Sequence, residues 1–482
     1  MLVTMQRKVK IICTLGPSSY QEETIEKLIE AGMNIARLNF SHGDHEFYRG
    51  LINRIRHVAA RLHAPIAILQ DLQGPKIRIG KVDNDAITLV DGQHIAITTQ
   101  NLIGTDKLLS TSYEHLLRDV AAGDPVLLDD GKIALRCESK DDDRIRCIVE
   151  QGGILKSKKG INLPHSATSA DSLTQKDIMD LNFGAHAGVD AVALSFVRSA
   201  QDVIRLRGEL ARTKTRPLII AKLEKQQAID DLENILRVSD GVMVARGDLG
   251  VEIPAENVPL LQKRIVERAL IHGKTAVVAT EMLESMISQI RPTRAEASDV
   301  ANAVLDGADM LMLSAETASG AHPIKVVNMM HRIVSHVEES NRANYWRTSK
   351  LVLQQEKRDI QNTMALGAVQ ACEILKASAI VMFSQSGATA RMVSAYRPQK
   401  PIIAFVPNAL VQRTLTFSWG VRAFVLKAPH STSMLLKAIN DHLMALGMFK
   451  VGERIIVLTK IPLQSQEHTN TVHIHTLKPF VE

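Results

Sequence analysis

Cysteine and aromatic residues are scarce in this chain of 482 residues, and each scarcity excludes a class of protein. The four cysteines lack the spacing of a zinc site or a redox motif. Aromatic residues make up only 4% of the chain, so base-stacking surfaces are not expected despite a formal charge of +6. No apolar run reaches the length of a membrane span. We therefore expect neither a nucleic-acid-binding protein nor a membrane protein.

The first residues, MLVTMQRKVKIICTLG, enter a strand pattern almost at once and lack the apolar core and cleavage site of a signal peptide. Cys13 and Cys372 fall in apolar strand and helix patterns, which favours buried thiols. These absences predict a cytoplasmic protein. Apolar residues are 45% of the chain, enough for several cores, and the length indicates about three domains.

Residues 217–254 contain two apolar strand patterns that end in charge. The first ends with Lys222 and Glu224, which point to the same side of a strand because side chains alternate. The second ends with Arg246 and Asp248. Carboxylates from neighbouring strands predict a site for a hard divalent cation. A buried ion pair between Lys222 and one carboxylate is an alternative explanation of the same residues.

The same pattern of an apolar run ending in polar residues occurs eight times, with helical patterns between most of the runs. The runs are 9–17, 34–42, 66–74, 189–197, 218–224, 241–248, 276–282 and 309–317. Eight such units predict a (β/α)8 TIM barrel, whose active site lies at the C-terminal ends of the strands. The residues expected there are Arg37, Asn39, Ser41, Asp71, Lys222, Glu224, Asp248, Thr280 and Glu316.

One gap between strands is too long for a single barrel helix, and residues 75–165 inside it show short alternating runs with turn signals. We predict a small β-barrel-like domain inserted above the active site, where it can act as a lid. The barrel then comprises 1–74 and 166–340. Helix and strand patterns alternate again in 350–482, which predicts a C-terminal open α/β domain. The chain is thus expected to belong to the α/β class.

The C-terminal region contains a strand-to-helix turn, SQSGAT, with Ser384, Ser386, Gly387 and Thr389. Hydroxyls and backbone N–H groups at a helix N-terminus form an anion site. Ordinary capping of the helix by Ser or Thr is the alternative, although one hydroxyl would suffice for it. The turn therefore predicts a site for a phosphorylated effector.

Several long segments are similar to the pyruvate kinase family, and they occur in the family's order from end to end of the chain. They are GMNIARLNFSHGDHE (32–46), DLQGPKIR (71–78), KKGINLP (158–164), AKLE (221–224), ARGDLGVEIP (245–254), ATEMLESMI (279–287), RPTRAE (291–296) and DVANAVLDGADMLMLSAETASG (299–320). The resemblance implies the same three-part architecture. It also implies transfer of a phosphoryl group from phosphoenolpyruvate to ADP, which gives pyruvate and ATP in the last step of glycolysis.

The resemblance implies roles for the matching residues at the barrel mouth. Arg37 holds the substrate phosphate, Lys222 lies beside the transferring phosphoryl group, and Thr280 delivers a proton to the enolate through water. These three form the expected catalytic set. The backbone at Gly247 and Asp248 receives the anionic end of the substrate. The Mg²⁺ or Mn²⁺ ligands implied by the family are Glu224 and Asp248.

The resemblance also implies binding sites around this centre. Arg78 and Lys159 contact the nucleotide phosphates. The monovalent-cation ligands implied by the family are Asn39, Ser41, Asp71 and the carbonyl of Leu72. Lys76 stands where many members have the glutamate that accompanies K⁺ dependence, so we expect its ammonium to replace K⁺. The family further implies a homotetramer and an allosteric phosphorylated metabolite bound at the SQSGAT turn.

Two other functions account for part of the pattern. A metal-dependent barrel lyase or aldolase would use Lys222 as a Schiff-base nucleophile on a phosphorylated carbon acid, which requires a neutral lysine. A non-catalytic metabolite sensor would have no need of Lys222, Glu224, Asp248 and Thr280 together. Nucleoside preference and the identity of the effector are not fixed by the sequence.

Overall fold

The computed structural model describes residues 7–164, 171–213, 215–340, 359–427, 430–463 and 468–479. The polar stretch 342–360, which we interpret as a connection between units, lies outside these residues up to position 358, and so do the expected domain boundaries at 165/166 and 350. Within the described ranges, no helix combines the length and the apolar character that crossing a membrane requires.

The chain begins with three strand and helix units. They are β1 (Lys10–Thr14), α1 (Glu22–Ala31), β2 (Ile35–Asn39), α2 (His45–Arg61) and β3 (Ala67–Asp71). The run KIICT is buried throughout, as a strand at the centre of a protein should be. Helix α2 begins after Asp44, whose carboxylate accepts a hydrogen bond of 2.8 Å from the Phe47 N–H. This cap satisfies one of the free amides at the start of the helix.

An all-β unit follows β3. Its elements are β4 (Ala86–Leu89), β5 (His94–Thr98), β6 (Leu108–Ser110), α3 (Leu116–Asp119), β7 (Pro125–Leu128), β8 (Ile133–Lys140), β9 (Arg144–Gln151), β10 (Gly153–Lys156) and β11 (Ile161–Asn162). Six strands form a sheet in the order β11-β7-β8-β9-β5-β6, and β10 pairs with β4. The unit buries its own apolar cluster, which includes Leu109, Val126 and Leu135.

The remaining strand and helix units return to the first three strands. They are α4 (Gln175–Ala187), β12 (Ala191–Leu194), α5 (Ala200–Ala211), β13 (Leu218–Leu223), α6 (Gln226–Asp230), α7 (Leu232–Val238), β14 (Gly241–Ala245), α8 (Arg246–Glu252), α9 (Val258–Ile271), β15 (Thr275–Ala279), α10 (Arg294–Leu305), β16 (Met310–Leu313), α11 (Ala315–Ala318) and α12 (Pro323–Glu339). The eight parallel strands close in the order β1-β16-β15-β14-β13-β12-β3-β2. The predicted TIM barrel is confirmed.

The C-terminal part is an open sheet with helices. Its elements are α13 (Ile360–Ile374), β17 (Ile380–Phe383), α14 (Ala388–Ala395), β18 (Ile402–Val406), α15 (Ala409–Thr414), β19 (Val421–Val425), α16 (Thr432–Ala445), β20 (Arg454–Thr459) and β21 (Thr471–Thr476). The strand order is β19-β18-β17-β20-β21, and only the β20–β21 pairing is antiparallel. This arrangement confirms the predicted open α/β class.

The C-terminal sheet and its helices contact the barrel at the N-terminal ends of the barrel strands. Arg397 Nη1 lies 3.0 Å from Asp309 Oδ1, just before β16. Arg413 Nε lies 2.7 Å from Asp190 Oδ1, just before β12. The active face of such a barrel is the opposite one, at the C-terminal strand ends. The C-terminal part therefore contacts the barrel on the side away from the predicted catalytic residues.

Candidate active site

Lys222 lies near the end of β13, and Glu224 follows directly after that strand. Lys222 Nζ is 2.8 Å from Glu224 Oε1 and 3.5 Å from Asp71 Oδ1. All three side chains are buried. The buried ion pair that the sequence left as an alternative is therefore present, but it involves two carboxylates from different strands and lies at the predicted active face.

The charge state of Lys222 follows from this environment. Burial by itself disfavours the ammonium form, but the carboxylates of Asp71 and Glu224 outweigh that effect and raise the pKa of Lys222 above its usual value. Lys222 is thus an ammonium at neutral pH. A Schiff-base nucleophile has to lose its proton, so the environment of Lys222 opposes the lyase alternative.

Arg37 approaches the same pocket from β2. Its Nε lies 2.7 Å from Asp71 Oδ2, and its Nη1 donates to Thr14 Oγ1 at 2.9 Å. Burial alone would raise the pKa of Asp71, but the charges of Lys222 and Arg37 lower it below its usual value. Asp71 is therefore an anion that holds two cationic side chains side by side at the mouth of the barrel.

Two residues after β12 complete this arrangement, and we predicted a role for neither of them from the sequence. Ser195 Oγ accepts a hydrogen bond of 2.8 Å from Lys222 Nζ and donates to the Leu72 carbonyl at 2.7 Å. Phe196 has a φ of +54° and its N–H donates to Glu224 Oε2 at 2.6 Å. A left-handed backbone at a non-glycine residue costs energy and is concentrated at functional sites. In the sequence, the polar end of the run VDAVALSFV is the feature that could have indicated a role for Ser195.

Thr280 follows β15 in a left-handed conformation, with φ of +68°. Its Oγ1 accepts a hydrogen bond of 2.8 Å from the Gly247 N–H and donates to the Ala279 carbonyl at 2.6 Å. Arg246 Nη2 donates to the Thr280 carbonyl at 2.7 Å, while its Nη1 lies 2.6 Å from Asp299 Oδ2. Arg246 therefore fixes the strained backbone of Thr280, a role that its place at a strand end did not reveal.

Glu224 and Asp248 are the two carboxylates predicted to hold a divalent metal. Burial raises the pKa of Glu224, and the nearby charge of Asp248 adds to that effect, while Lys222 opposes it. Within the part of the chain that the structure describes, no group of three or more His, Cys, Asp or Glu side chains could hold a metal ion. Two carboxylates still suit Mg²⁺, which binds through one or two carboxylates and takes substrate and water oxygens in its other positions.

A cavity of about 1080 Å³ lies between the barrel and the inserted β unit. The barrel contributes Gly247, Asp248 and Thr280, and the inserted side contributes Lys76 and Asp130. The insertion therefore lies over the C-terminal strand ends. This position matches the lid that the long gap in the barrel pattern predicted.

The two predicted nucleotide-binding residues lie on neighbouring backbone segments of the inserted unit. Arg78 pairs with Gly160 in an isolated bridge, and the Ile79 N–H donates to the Lys159 carbonyl at 2.9 Å. Lys159 Nζ lies 2.8 Å from Asp129 Oδ1, and this hydrogen bond raises the pKa of Lys159. The structure thus brings the two cations to one edge of the unit.

The residues of the predicted monovalent-cation site lie close together. Asn39 ends β2, where its Oδ1 accepts a hydrogen bond of 3.3 Å from the Ser41 N–H, and the Phe40 N–H donates to the Asp71 carbonyl. In the described ranges, Lys76 forms no ion pair with Asp71, whose cationic partners are Arg37 and Lys222.

The predicted effector turn leads into α14. Gly387 precedes the helix with φ of +80°, and no side chain caps the helix there. A side chain at Gly387 would come within 3.0 Å of neighbouring atoms as well as adopting an unfavourable φ. Thr389 Oγ1 is 2.8 Å from Thr469 Oγ1 near the C-terminus. Simple capping by Ser or Thr therefore does not account for the hydroxyls of this turn.

Comparison with known proteins decides the family. The family description "Pyruvate kinase, barrel domain" matches residues 6–327, and "Pyruvate kinase, alpha/beta domain" matches residues 362–475. The chain belongs to the pyruvate kinase family. The resemblance found in the sequence motifs is confirmed, and the chain is a phosphotransferase that acts between phosphoenolpyruvate and ADP.

Individual relatives agree over nearly the whole length. The chain is 42% identical to a pyruvate kinase of Mycobacterium tuberculosis strain H37Rv, covering 98% of this chain and 99% of the relative. It is also 42% identical to a pyruvate kinase of Geobacillus stearothermophilus, covering 99% of this chain and 81% of the relative. A crystal structure of a pyruvate kinase from Cryptosporidium parvum is 35% identical, with a TM-score of 0.93 and coverage of 98% and 96% of the two chains.

Proposed function

We propose that Lys222 and Arg37 hold the phosphoryl group of phosphoenolpyruvate during its transfer to ADP. The observation that carries this proposal is the pair of cations fixed on Asp71, with Lys222 kept charged by two carboxylates. Negative charge spreads over the equatorial oxygens of a transferring phosphoryl group. Cations fixed in advance stabilise that charge without reorganising, and Ser195 holds the Lys222 ammonium in place.

Glu224 and Asp248 would hold Mg²⁺ or Mn²⁺ together with oxygens of the substrate. When bound there, the metal neutralises charge on the substrate and orients it. The chain itself contributes two carboxylates and excludes water from one of them, because Glu224 is 1% exposed. The Phe196 N–H fixes one Glu224 oxygen, and the other lies 2.8 Å from the Lys222 ammonium.

We propose that Thr280 serves the step in which the enolate receives a proton to become pyruvate. Its hydroxyl is already engaged by the Gly247 N–H and the Ala279 carbonyl, so we propose that it orders a water molecule that carries the proton. The N–H of Asp248 remains the expected contact for the carboxylate end of the substrate, while that of Gly247 positions Thr280. Arg246 keeps the Thr280 backbone in its left-handed conformation.

Arg78 and Lys159 would contact the phosphates of ADP or ATP. Lys159 forms an ion pair with Asp129 in the described structure, and it is more than one-third exposed. A nucleotide phosphate carries more negative charge than one carboxylate, so it can compete for this ammonium. Movement of the inserted unit over the cavity would then bring the nucleotide to the phosphoryl group.

The family's monovalent-cation ligands correspond to Asn39, Ser41, Asp71 and the Leu72 carbonyl. We propose that the enzyme does not depend on K⁺ at this position. The Leu72 carbonyl accepts from Ser195, and Asp71 is already paired with Arg37 and Lys222. Lys76 lines the active cavity with Asp248 and can add a positive charge there. We propose that this tethered charge removes the need for bound K⁺.

Regulation and assembly are further parts of the proposal. The turn with Ser384, Ser386, Gly387 and Thr389 would bind the phosphate of an allosteric metabolite, supported by its uncapped helix start. We also propose a homotetramer, a cytoplasmic location, and the division into a barrel (1–74 and 166–340), a lid (75–165) and an effector domain (350–482). The family matches at 6–327 and 362–475 support the division between barrel and effector domain.

Pyruvate formation from phosphoenolpyruvate and ADP tests this set of roles as a whole. We expect activity that EDTA abolishes and that added Mg²⁺ restores. Treatment with borohydride in the presence of phosphoenolpyruvate should trap no adduct, because the Lys222 ammonium is not a nucleophile. A borohydride-trapped adduct on Lys222 would instead support the lyase alternative.

A further inference from the structure

A second cavity lies between the barrel and the C-terminal part, on the face opposite the active site. Its volume is about 430 Å³. On the barrel side it is lined by Leu218 and Thr275, the first residues of β13 and β15. On the other side it is lined by α14, through Ala388, Arg391 and others. We call it the junction cavity.

The ionisable side chains around the junction cavity are mainly cationic. Among the described residues, Arg237, Lys274, Arg391 and His272 line it, together with one carboxylate, Asp240. That carboxylate is engaged elsewhere, since Asp240 Oδ2 lies 3.1 Å from Arg207 Nη2 and also accepts from a backbone N–H at 2.9 Å. The cavity therefore carries a positive charge that the barrel and the C-terminal part contribute together.

Two polar groups in the lining have no partner within the described ranges. The Arg391 guanidinium forms no hydrogen bond or ion pair there. Burial lowers the pKa of Arg391, and the attraction of Asp240 opposes that lowering. Ser418 is 1% exposed, and its hydroxyl has no hydrogen-bond partner. Buried polar groups without partners cost stability, so such groups at one cavity indicate a bound molecule that supplies the missing acceptors.

The rest of the lining combines apolar side chains with the polar residues His272, Thr275 and Asn362. Leu218, Ile271, Met392 and Phe417 form walls beside the charged groups. Pockets of this volume, with apolar walls and a few convergent polar groups, are typical of sites for small organic ligands. Inorganic ions have no use for such walls, so the wall composition favours an organic anion.

We propose that the junction cavity binds a phosphate monoester, with its dianion against Arg391 and Arg237 and its organic part against Met392 and Phe417. A phosphate dianion matches two guanidinium groups, each of which presents a fork of donors. Such a ligand would contact both sides of the junction at once. It would therefore stabilise one position of the C-terminal part relative to the barrel.

This site adjoins the effector turn, since both use α14 and a Cβ atom at Gly387 would lie 3.0 Å from Arg391 Nη1. The turn lies at the start of the helix, where Thr389 contacts Thr469. The face of α14 that lines the junction cavity carries Ala388, Arg391, Met392 and Ala395 instead. An experiment must therefore distinguish phosphate held by the turn from phosphate held by Arg391.

Isothermal titration calorimetry with phenyl phosphate tests the proposal on the full chain, beside inorganic phosphate as a probe without an apolar part. Ser386→Ala with Thr389→Ala is introduced first, so that the turn no longer contributes. In that background we expect phenyl phosphate to bind more tightly than inorganic phosphate. Arg391→Met and Arg237→Met should each weaken its binding about tenfold or more, because each removes a charge-assisted contact.

Arg212→Met is the matched control, because Arg212 is an exposed arginine paired with Glu209 outside the cavity. It should leave the affinity for phenyl phosphate unchanged. Arg237 is exposed, so its variant retains the fold even if Arg391→Met does not. Unchanged affinity in Arg237→Met, or binding that disappears entirely with the turn substitutions, would overturn the proposal. Equal affinity for phenyl phosphate and inorganic phosphate would contradict the proposed contact of an organic group with Met392 and Phe417.

Discussion

Lys222 Nζ lies 2.8 Å from Glu224 Oε1, so the charged lysine and a proposed metal ligand are direct neighbours at the mouth of the barrel. The attraction of the carboxylates keeps the lysine protonated, while burial raises the pKa of Glu224 against the opposing charge of Lys222. Asp71, 3.5 Å from the same ammonium, contributes to the effect. The pocket therefore carries fixed charges of both signs before any substrate binds, which is the arrangement that electrostatic catalysis requires.

Glu224→Gln and Asp248→Asn should each weaken the binding of a divalent metal by about tenfold or more, because each removes an anionic oxygen ligand. Titration with Mn²⁺, followed by its electron paramagnetic resonance signal, measures this directly and does not depend on turnover. Glu256→Gln is the matched control, since Glu256 is an exposed carboxylate outside the site. Unchanged Mn²⁺ titration curves in both site variants would place the metal elsewhere.

Lys76 should make the enzyme indifferent to K⁺. We expect similar rates of pyruvate formation in KCl and in tetramethylammonium chloride at equal ionic strength. Lys76→Glu should lower the rate without K⁺ and create a K⁺ requirement, because a carboxylate replaces a positive charge at the active cavity. Strong K⁺ activation of the unmodified protein would contradict this account and favour bound K⁺ at Asn39, Ser41 and Asp71.

Ser386→Ala with Thr389→Ala should abolish activation by a phosphorylated metabolite while basal catalysis continues. The turn and the catalytic residues lie on opposite sides of the barrel, so only their coupling is affected. Activation curves with several sugar phosphates provide the measurement. Thr363→Ala serves as a control, because its hydroxyl bonds only to the Asp359 carbonyl at an exposed helix start. If the doubly substituted protein retains its full activation curve, the effector binds elsewhere.

Lys10 predicts a pH dependence of stability at the junction of barrel and C-terminal part. Burial lowers its pKa to about 7, and Arg7 and Arg422 act in the same direction while Glu338 opposes them. Between pH 7 and the usual lysine pKa of 10.5, the unfolded chain binds more protons at this site than the folded one. The free energy of unfolding should therefore rise with pH in this window, by at most about 1.4 kcal/mol per unit.

Urea unfolding of the unmodified protein and of Lys10→Met, compared at each pH, isolates this contribution. Methionine retains most of the apolar stem but cannot titrate, so the variant should gain stability relative to the unmodified protein as the pH falls from 10 to 7. Lys10 also donates to the Val421 carbonyl at 2.9 Å. Loss of that hydrogen bond lowers the free energy of unfolding of the variant, and this loss does not follow the titration of Lys10. A stability difference that stays constant across the window would show that Lys10 titrates normally.

Much of the fold follows from local pattern. Runs such as KIICT and GVMVA indicate barrel strands because they are predominantly apolar and every residue in them is buried, and the alternation in residues 75–165 marks the inserted sheets. Cys13 and Cys372 are buried, as their apolar strand and helix patterns predicted. These features depend on neighbours along the chain, which a sequence displays directly.

The site was predictable only in part. Lys222 and Glu224 are visible because charge is unusual at the end of a buried strand. The roles of Ser195, Phe196 and Arg246 arise from hydrogen bonds to residues that lie 27 to 34 positions further along the sequence. Their types are common at strand ends, and no local pattern distinguishes a serine that holds a lysine from one that faces solvent. The partners of Asp71 likewise depend on closure of the barrel.

The most direct test of the central claim is the turnover rate of Lys222→Met in a coupled assay of pyruvate formation. We expect kcat to fall by about a hundredfold to a thousandfold, because the ammonium acts mainly on charge in the transition state. The KM for phosphoenolpyruvate should change much less, and the Mn²⁺ titration should still show a bound metal. A variant that retains most of the kcat of the unmodified enzyme would contradict the role of Lys222 in phosphoryl transfer.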